Sequence, residues 1–374
     1  MNPASSNRHL AGELCLMSRC ETKSFRTSID IASENTFDFS SNEYRDLFEN
    51  SDATAFQSPE WLSAFYQELV PERGAEKRII TGRASENGTL VFLLPLIRRK
   101  IKGVVLVESS DLGVSDYSAP IVRNDQLSDP VADDLLSKAI SDAIGKYDLL
   151  RIKPIRQETR QLWGLFFKTP SHALDFSAHA STIKAPYDTW RKDAFGKSHT
   201  KYLDRKSRRF NKEYDVKLTI VSDDEIQDAI SYVQQYRKGR FEGDPIQQDF
   251  VLRFYTRVAK NLGSNSVART YQLTADGKRV GVVFGLMKDG RYHYLLIGCD
   301  YDNYGKHSPG LLMYDLIMAD WLEEGGDVFD FTIGDEPFKA KYDAQSTKMY
   351  AILQAGSFIG KVASFVIKLR AKSA

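Results

Sequence analysis

The chain has 374 residues, 42% hydrophobic and 27% charged, enough apolar material for two cores of ordinary size. Fifty-one Lys and Arg against 50 Asp and Glu leave a formal net charge of +1. That excludes a global electrostatic drive toward nucleic acid or anionic membrane, so any such binding has to come from a local patch.

Residues 1–45 are polar and weakly periodic, and read as a flexible N-terminal tail with at most one strand. They contain no apolar signal-like run, and Val91–Ile97, broken by Pro95, falls far short of the ~20 residues of a membrane span. Three cysteines do not make a disulfide framework. The expectation is a soluble, cytoplasmic protein.

A first half is expected over 46–186. Ser58-Pro59-Glu60-Trp61 opens a helix, with Ser58 as N-cap and Pro59 at its first position. Strands follow at Lys77–Arg83, Thr89–Arg98 and Val104–Glu108, the first two joined by the turn Asn87-Gly88. Asp129-Pro130 opens a further helix, and Leu149–Ile155 is a strand. Residues 187–217 read as a basic helical connector. Lys197, Lys201, Arg205, Arg209 and Lys212 fall on one helical face with Trp190, Phe195, Tyr202 and Phe210 between them. A solvated surface is the plainer reading of that face, and a nucleic-acid contact the sharper one.

The second half, 218–374, repeats the order of elements. Strands at Val267–Leu273, Arg279–Met287 and Tyr292–Gly298 precede a helix at Pro309–Glu324 and a strand at Val328–Ile333. Both halves run strand–strand–strand–helix–strand. The fold expected is α+β, two similar halves that each hold a mixed, mostly antiparallel sheet flanked by helices.

The stretch Tyr304–Lys341 carries the strongest functional signal. Ser308 is a good N-cap and Pro309 a good first helical residue, while Gly310 has no side chain to block approach to the backbone. Lys306 and His307 sit just upstream, and no acid occurs before Asp315, so the positive end of the helix dipole is free for a phosphate. The loop Gly305, Lys306, His307, Ser308, Pro309, Gly310 and Leu311 is therefore the candidate cofactor site. The corresponding loop of the first half leads into Asp125, Asp129, Asp133 and Asp134, which would repel a pyrophosphate. Neither GxxxxGK[ST] nor GxGxxG occurs.

Asp330 lies on the strand after this helix, flanked by two phenylalanines that face the other way. Burial would raise its pKa and suit it to general-base work. The alternative is a structural carboxylate bonded to backbone or to Lys339. Glu336 is a second catalytic candidate on the following loop, and Tyr342 a candidate proton donor or an ordinary packed tyrosine. Trp61, Asp116, Tyr117 and Lys339 are candidates for holding an acceptor, with Trp61 equally readable as core. Cys299 ends a strand near His293 and reads as an inert buried thiol. Without HExxH or CxxC, no metal is expected.

Taken together, Phe56–Trp61, Leu94-Pro95-Leu96, Asp116–Pro120, Ser308-Pro309-Gly310 and Phe329–Lys339 resemble the GNAT acetyltransferases. The closer resemblance is to the subgroup named after a cellulose-biosynthesis acetyltransferase (CelD/BcsL type), related to the FemABX transferases with two GNAT-like halves. The resemblance implies an acetyl-CoA or other acyl-CoA co-substrate on the loop at 305–310. It also implies a small-molecule or saccharide acceptor, such as a polysaccharide precursor. Two other readings are an aminoacyl-tRNA-dependent transferase of FemABX type, with tRNA on the basic connector, and a non-catalytic component of membrane-associated polysaccharide machinery.

Overall fold

The computed structural model describes residues 18–20, 25–128, 133–260 and 266–373. In the first half, β1 (Ser18–Cys20) and β2 (Ile29–Ser33) precede α1 (Asn42–Glu49) and α2 (Pro59–Ala64). Strands β3 (Glu76–Ala84), β4 (Leu90–Ile101), β5 (Val104–Ser109) and the short β6 (Ile121–Val122) follow. Then come α3 (Asp134–Ile144), β7 (Leu149–Arg156), α4 (Arg160–Phe166) and β8 (His172–Thr182). Helices α5 (Tyr187–Ala194) and α6 (Gly196–Glu213) lead into the second half.

That half contains β9 (Val216–Ile220), α7 (Ile226–Arg237), α8 (Asp249–Ala259), β10 (Ala268–Ala275), β11 (Lys278–Lys288) and β12 (Arg291–Cys299). It continues through α9 (Tyr301–Tyr304), α10 (Pro309–Glu323), β13 (Val328–Ile333), β14 (Gln345–Ala355) and α11 (Phe358–Ser373).

The expected order of elements is present in each half. Strands β3, β4 and β5 form an antiparallel run, and β7 returns parallel to β5 through α3. Strands β10, β11 and β12 do the same, with β13 parallel to β12 through α10. The two sheets do not remain separate. After β7 the chain sends β8 to pair with β13, and after β13 it sends β14 to pair with β7. Strands β8 and β14 also pair with each other, which fuses everything into one 14-stranded sheet. Each half thus lends its last strand to the other, and the junction is made of backbone hydrogen bonds.

Residues 25–45 are not a flexible tail. Ile29 and Ile31 alternate inward on β2, which pairs with β3, and Phe37 and Phe39 pack against Tyr44 and Tyr66. The two phenylalanines lie outside any strand or helix, so no periodicity marks them as core. Residues 1–17, and the helix start expected at Asp129-Pro130, lie outside the described residues; α3 is capped by Asp133, whose carboxylate accepts from the N–H groups of Leu135 and Leu136. Strands β8, β9 and β14 and helices α7 and α8 add to the elements expected. No helix among the described residues is long and apolar enough to cross a membrane.

Candidate active site

Strand β13 alternates as expected. Phe329 and Phe331 pack toward α10, and Asp330 faces the opposite side of the sheet, completely buried. Its Oδ1 accepts hydrogen bonds from the Tyr117 hydroxyl and the Thr332 N–H, both at 2.8 Å. Its Oδ2 accepts from Arg156 at 2.8 Å and Arg291 at 3.0 Å, and His293 Nδ1 lies 3.4 Å away without forming a hydrogen bond.

Burial alone would raise the pKa of Asp330. The imidazole of His293 and the guanidinium groups of Arg156 and Arg291 outweigh it and hold the carboxyl well below the usual carboxylate range. The expectation of a raised pKa is therefore overturned. Asp330 is a fixed anion with both oxygens occupied, and a proton would have to displace two arginines. Burial lowers the pKa of His293 despite the pull of Asp330, so His293 favours its neutral form.

Raised carboxyls occur instead at Asp111 and, to a greater extent, at Asp116. Burial pushes Asp116 up to about 7, opposed by the nearby Thr332 hydroxyl and the charge of Lys339 and aided by the charges of Asp111 and Asp330. Unlike Asp330, it is half-buried and keeps access to solvent. Thr332 marks the place where the sheet opens. The β12–β13 pairing ends at His293 and Asp330, and a β-bulge against β8 follows. Thr332 itself has φ +56°, a left-handed conformation costly for a β-branched residue. Its N–H bond to Asp330 and its hydroxyl bond to the Tyr294 carbonyl at 3.2 Å hold it there. Asp116 from the first half thus meets the parted strands of the second.

The loop before α10 is built differently from the expected cradle. Ser308 is left-handed (φ +57°) and does not cap the helix; its hydroxyl pairs with that of Tyr202 at 2.7 Å. Gly305 starts the turn and accepts from the Ser308 N–H. Lys306 pairs with Glu213 at 2.6 Å, and its carbonyl accepts from Lys206. His307 is buried, stacked on Phe210 with ring centroids 4.3 Å apart. Lys306 and His307 therefore fasten the loop to α6, Lys306 from the surface and His307 from within.

Gly310 has an internal reason for being glycine. A Cβ there would stand 2.4 Å from the Tyr301 hydroxyl and 3.4 Å from Ile297. Gly310→Ala is expected to cost about 1–3 kcal/mol in urea unfolding, and most of that loss should disappear in a Tyr301→Phe background. An equal loss in both backgrounds would show that Tyr301 is not the obstacle.

An open space does lie beside Leu311. A cavity of about 650 Å³ is lined by Phe195, Lys197, His199, Tyr202, Leu311 and Lys341, with no acid. Two helices begin here, α6 at Gly196 and α10 at Pro309, and neither has an acid in its first turn or a side-chain cap. Two lysines and two uncapped helix starts on one cavity fit a pyrophosphate-bearing ligand.

The remaining candidates are structural. Trp61 is fully buried against Phe56, Phe254 and Tyr255, and its indole N–H donates to Ser115 at 3.1 Å, so it belongs to the core. Tyr117 is buried with its hydroxyl committed to Asp330. Lys339 is buried, and its ammonium donates to the carbonyls of Ile333 and Gly334 and pairs with Glu336 at 2.9 Å. All three of its donors are used to hold the turn after β13, so it does not grip an acceptor. Glu336 is exposed and serves the same turn. Tyr342 donates to the Leu311 carbonyl at 2.8 Å, and burial raises its pKa well above the usual phenol value, so its proton is already placed. Burial pushes the Cys299 thiol up to about 12, in keeping with an inert cysteine.

Arg156, Arg291 and Thr332 carry no sequence signal of their own, because each is recruited by contacts between distant segments. Lys341 and Lys197 are legible only as charges.

Comparison with known proteins agrees with this architecture. The profile of the acetyltransferase (GNAT) domain family matches residues 197–340. Among solved structures, FemX is similar with a TM-score of 0.56 at 11% identity, covering 82% of this chain and 94% of that one. A conserved protein of unknown function from Bacteroides thetaiotaomicron VPI-5482 gives 0.55 at 15% identity, covering 86% and 99%. L-PGS from Bacillus licheniformis gives 0.52 at 14% identity, covering 90% and 98%. No curated protein matches. These likenesses concern the fold, a mixed α/β architecture with a large, mostly antiparallel sheet.

Proposed function

We propose that the protein is an acyl-CoA-dependent acyltransferase in which Asp116 is the general base. The observation that carries the reading is the half-buried carboxyl of Asp116, pushed up to about 7, beside the parted strands β12 and β13. The GNAT profile match and the acid-free cavity at the start of α10 support it. A bound acyl-CoA would supply the activated acyl thioester. Lys197, Lys341 and the first N–H groups of α6 and α10 would hold its phosphates.

The chain's own part is proton management. Asp116 takes the proton from an acceptor amine or hydroxyl, and a base with a pKa near the working pH does this best. Asp330 stays ionised behind Thr332 and fixes the bulge that opens the strands. We assign the acceptor to a saccharide or a related cell-envelope precursor, N- or O-acylated, on the resemblance to the cellulose-biosynthesis subgroup.

Titration calorimetry with acetyl-CoA tests the donor. Saturable binding is expected, weakened about tenfold or more in Lys197→Glu/Lys341→Glu, since each substitution reverses a charge at the phosphates. No heat with acetyl-CoA or longer acyl-CoAs would overturn the reading.

A second reading is an aminoacyl-tRNA donor. It is favoured by the exposed row Lys197, Lys201, Arg205, Arg208 and Lys212 on α6, the helix that borders the same cavity. Retention of tRNA on filters that falls steeply with salt would favour it, and no retention at low salt would remove it.

A further inference from the structure

The C-terminal helix α11 has an apolar face that nothing among the described residues covers. Its inner side packs on the sheet: Ala363 and Ile367 meet Val104, Leu106, Leu149 and Leu353. The contact is close enough that a Cβ on Gly360 would sit 1.6 Å from the Asp148 carbonyl oxygen. Ser357 fastens the start of the helix, donating to Asp148 at 2.5 Å and accepting from the Gly360 N–H at 3.1 Å. The helix is therefore pinned, and its other side is held outward.

That other side carries Phe358, Ile359, Val362, Phe365 and Val366, the two phenylalanines 79% and 63% exposed. Their spacing gathers them into one stripe of a helix. The other exposed large apolar side chains of the described residues are scattered singly over the fold, which needs no explanation. Five within nine residues on one stripe form a patch of the kind that marks an interaction surface.

Charge selects the partner. From Phe358 to Ser373 the helix contains Lys361, Lys368, Arg370 and Lys372 and no acid, in a chain whose formal net charge is only +1. A second copy would bring two such helices together, like charge against like. An anionic lipid surface instead offers hydrocarbon for the stripe and phosphate for the lysines.

We propose that α11 is an in-plane anchor that seats the protein on anionic membrane by its Phe358–Val366 stripe. This is independent of the acyl-transfer reading and would stand if that reading failed.

The test is co-sedimentation of the full chain with vesicles of equal parts phosphatidylcholine and phosphatidylglycerol, and with vesicles of phosphatidylcholine alone. Binding to the anionic vesicles is expected, reduced by salt and weak on the neutral ones. Val362→Glu/Phe365→Glu should lower the partition coefficient about tenfold or more at unchanged Tm, because both side chains are already exposed. Lys361→Glu should weaken binding to the anionic vesicles alone.

Failure of the full chain to sediment with anionic vesicles at low salt would overturn the proposal. So would a folded double variant that binds as well as the parent. A concentration-dependent dimer that the double variant abolishes, with no vesicle binding, would give the stripe to a second copy and also overturn it.

Discussion

Asp116→Asn is expected to lower acyl transfer by about 10²–10⁴-fold, since the amide keeps the shape of the carboxyl and cannot take a proton. In the parent, kcat/KM should rise with pH and level off above an apparent pKa near 7, the value to which burial and the neighbouring Asp111 and Asp330 push this group. In the variant that limb should vanish. Stability should move the other way. The folded pKa lies above the ordinary value of 3.8, so between about 4 and 7 the folded state binds more protons than the unfolded one. Folding stability therefore declines as pH rises through that window, and above 7 the parent carries the full cost of the buried charge. Asn removes the cost. A gain of about 1–2 kcal/mol at pH 8 is expected, discounted for the solvent access Asp116 keeps. Loss of activity together with gain of stability is the signature of a base held at a raised pKa. A variant that is active with the parent's pH profile would remove Asp116 from the mechanism.

The sequence shows the framework of this site far better than its chemistry. Alternation places Phe329 and Phe331 on one face and Asp330 on the other, and the helix at Pro309 is signalled by Ser308, Pro309 and the following apolar positions. Strands β3, β4, β5, β10, β11, β12 and β13 can be read in the same way from periodicity and turn residues. The crossing of β8 and β14 between halves cannot, because a strand's period says which face is buried and nothing about which neighbour it pairs with.

The state of each carboxyl is equally non-local. Asp330 and Asp116 are both acids in apolar surroundings, and the sequence alone favours raising the more deeply buried one. The difference between them comes from Arg156, Arg291 and His293. Arg156 lies 174 residues from Asp330 in sequence and reaches it only because β14 joins β7 to the rest of the sheet. Lys306 and His307 mislead for a similar reason. Two basic residues before a helix resemble a phosphate grip until α6 is seen to supply Glu213 and Phe210.

Asp330→Asn is expected to be strongly destabilising, more so than Gly310→Ala. The carboxylate is completely buried and balances Arg156, which is nearly buried itself, and Arg291, which is part-exposed. Removing its charge leaves two guanidinium groups facing an amide, with the exposed Glu158 as the remaining carboxylate partner of Arg156. Breaking a buried pair from one side costs about 3–5 kcal/mol. Tyr117→Phe deletes one hydrogen bond from the same carboxylate and should cost about 1 kcal/mol. Urea denaturation would read both. The sign with pH is fixed by the depressed pKa of Asp330. Its contribution is present above the unfolded value near 3.8 and is lost as pH falls through the lower folded value, so the parent should weaken more than Asp330→Asn on acidification. Because Tyr117 and Arg156 come from the first half and Arg291 and His293 from the second, the loss should also loosen the junction that presents Asp116 to the bulge at Thr332. Activity of Asp330→Asn should therefore fall while the rising limb of the pH profile survives, its apparent pKa moved below the parent's because the Asp330 charge is one of those that push Asp116 up. If Asp330 were itself the base, the amide would abolish the rising limb altogether, and that result would reverse the roles of the two acids.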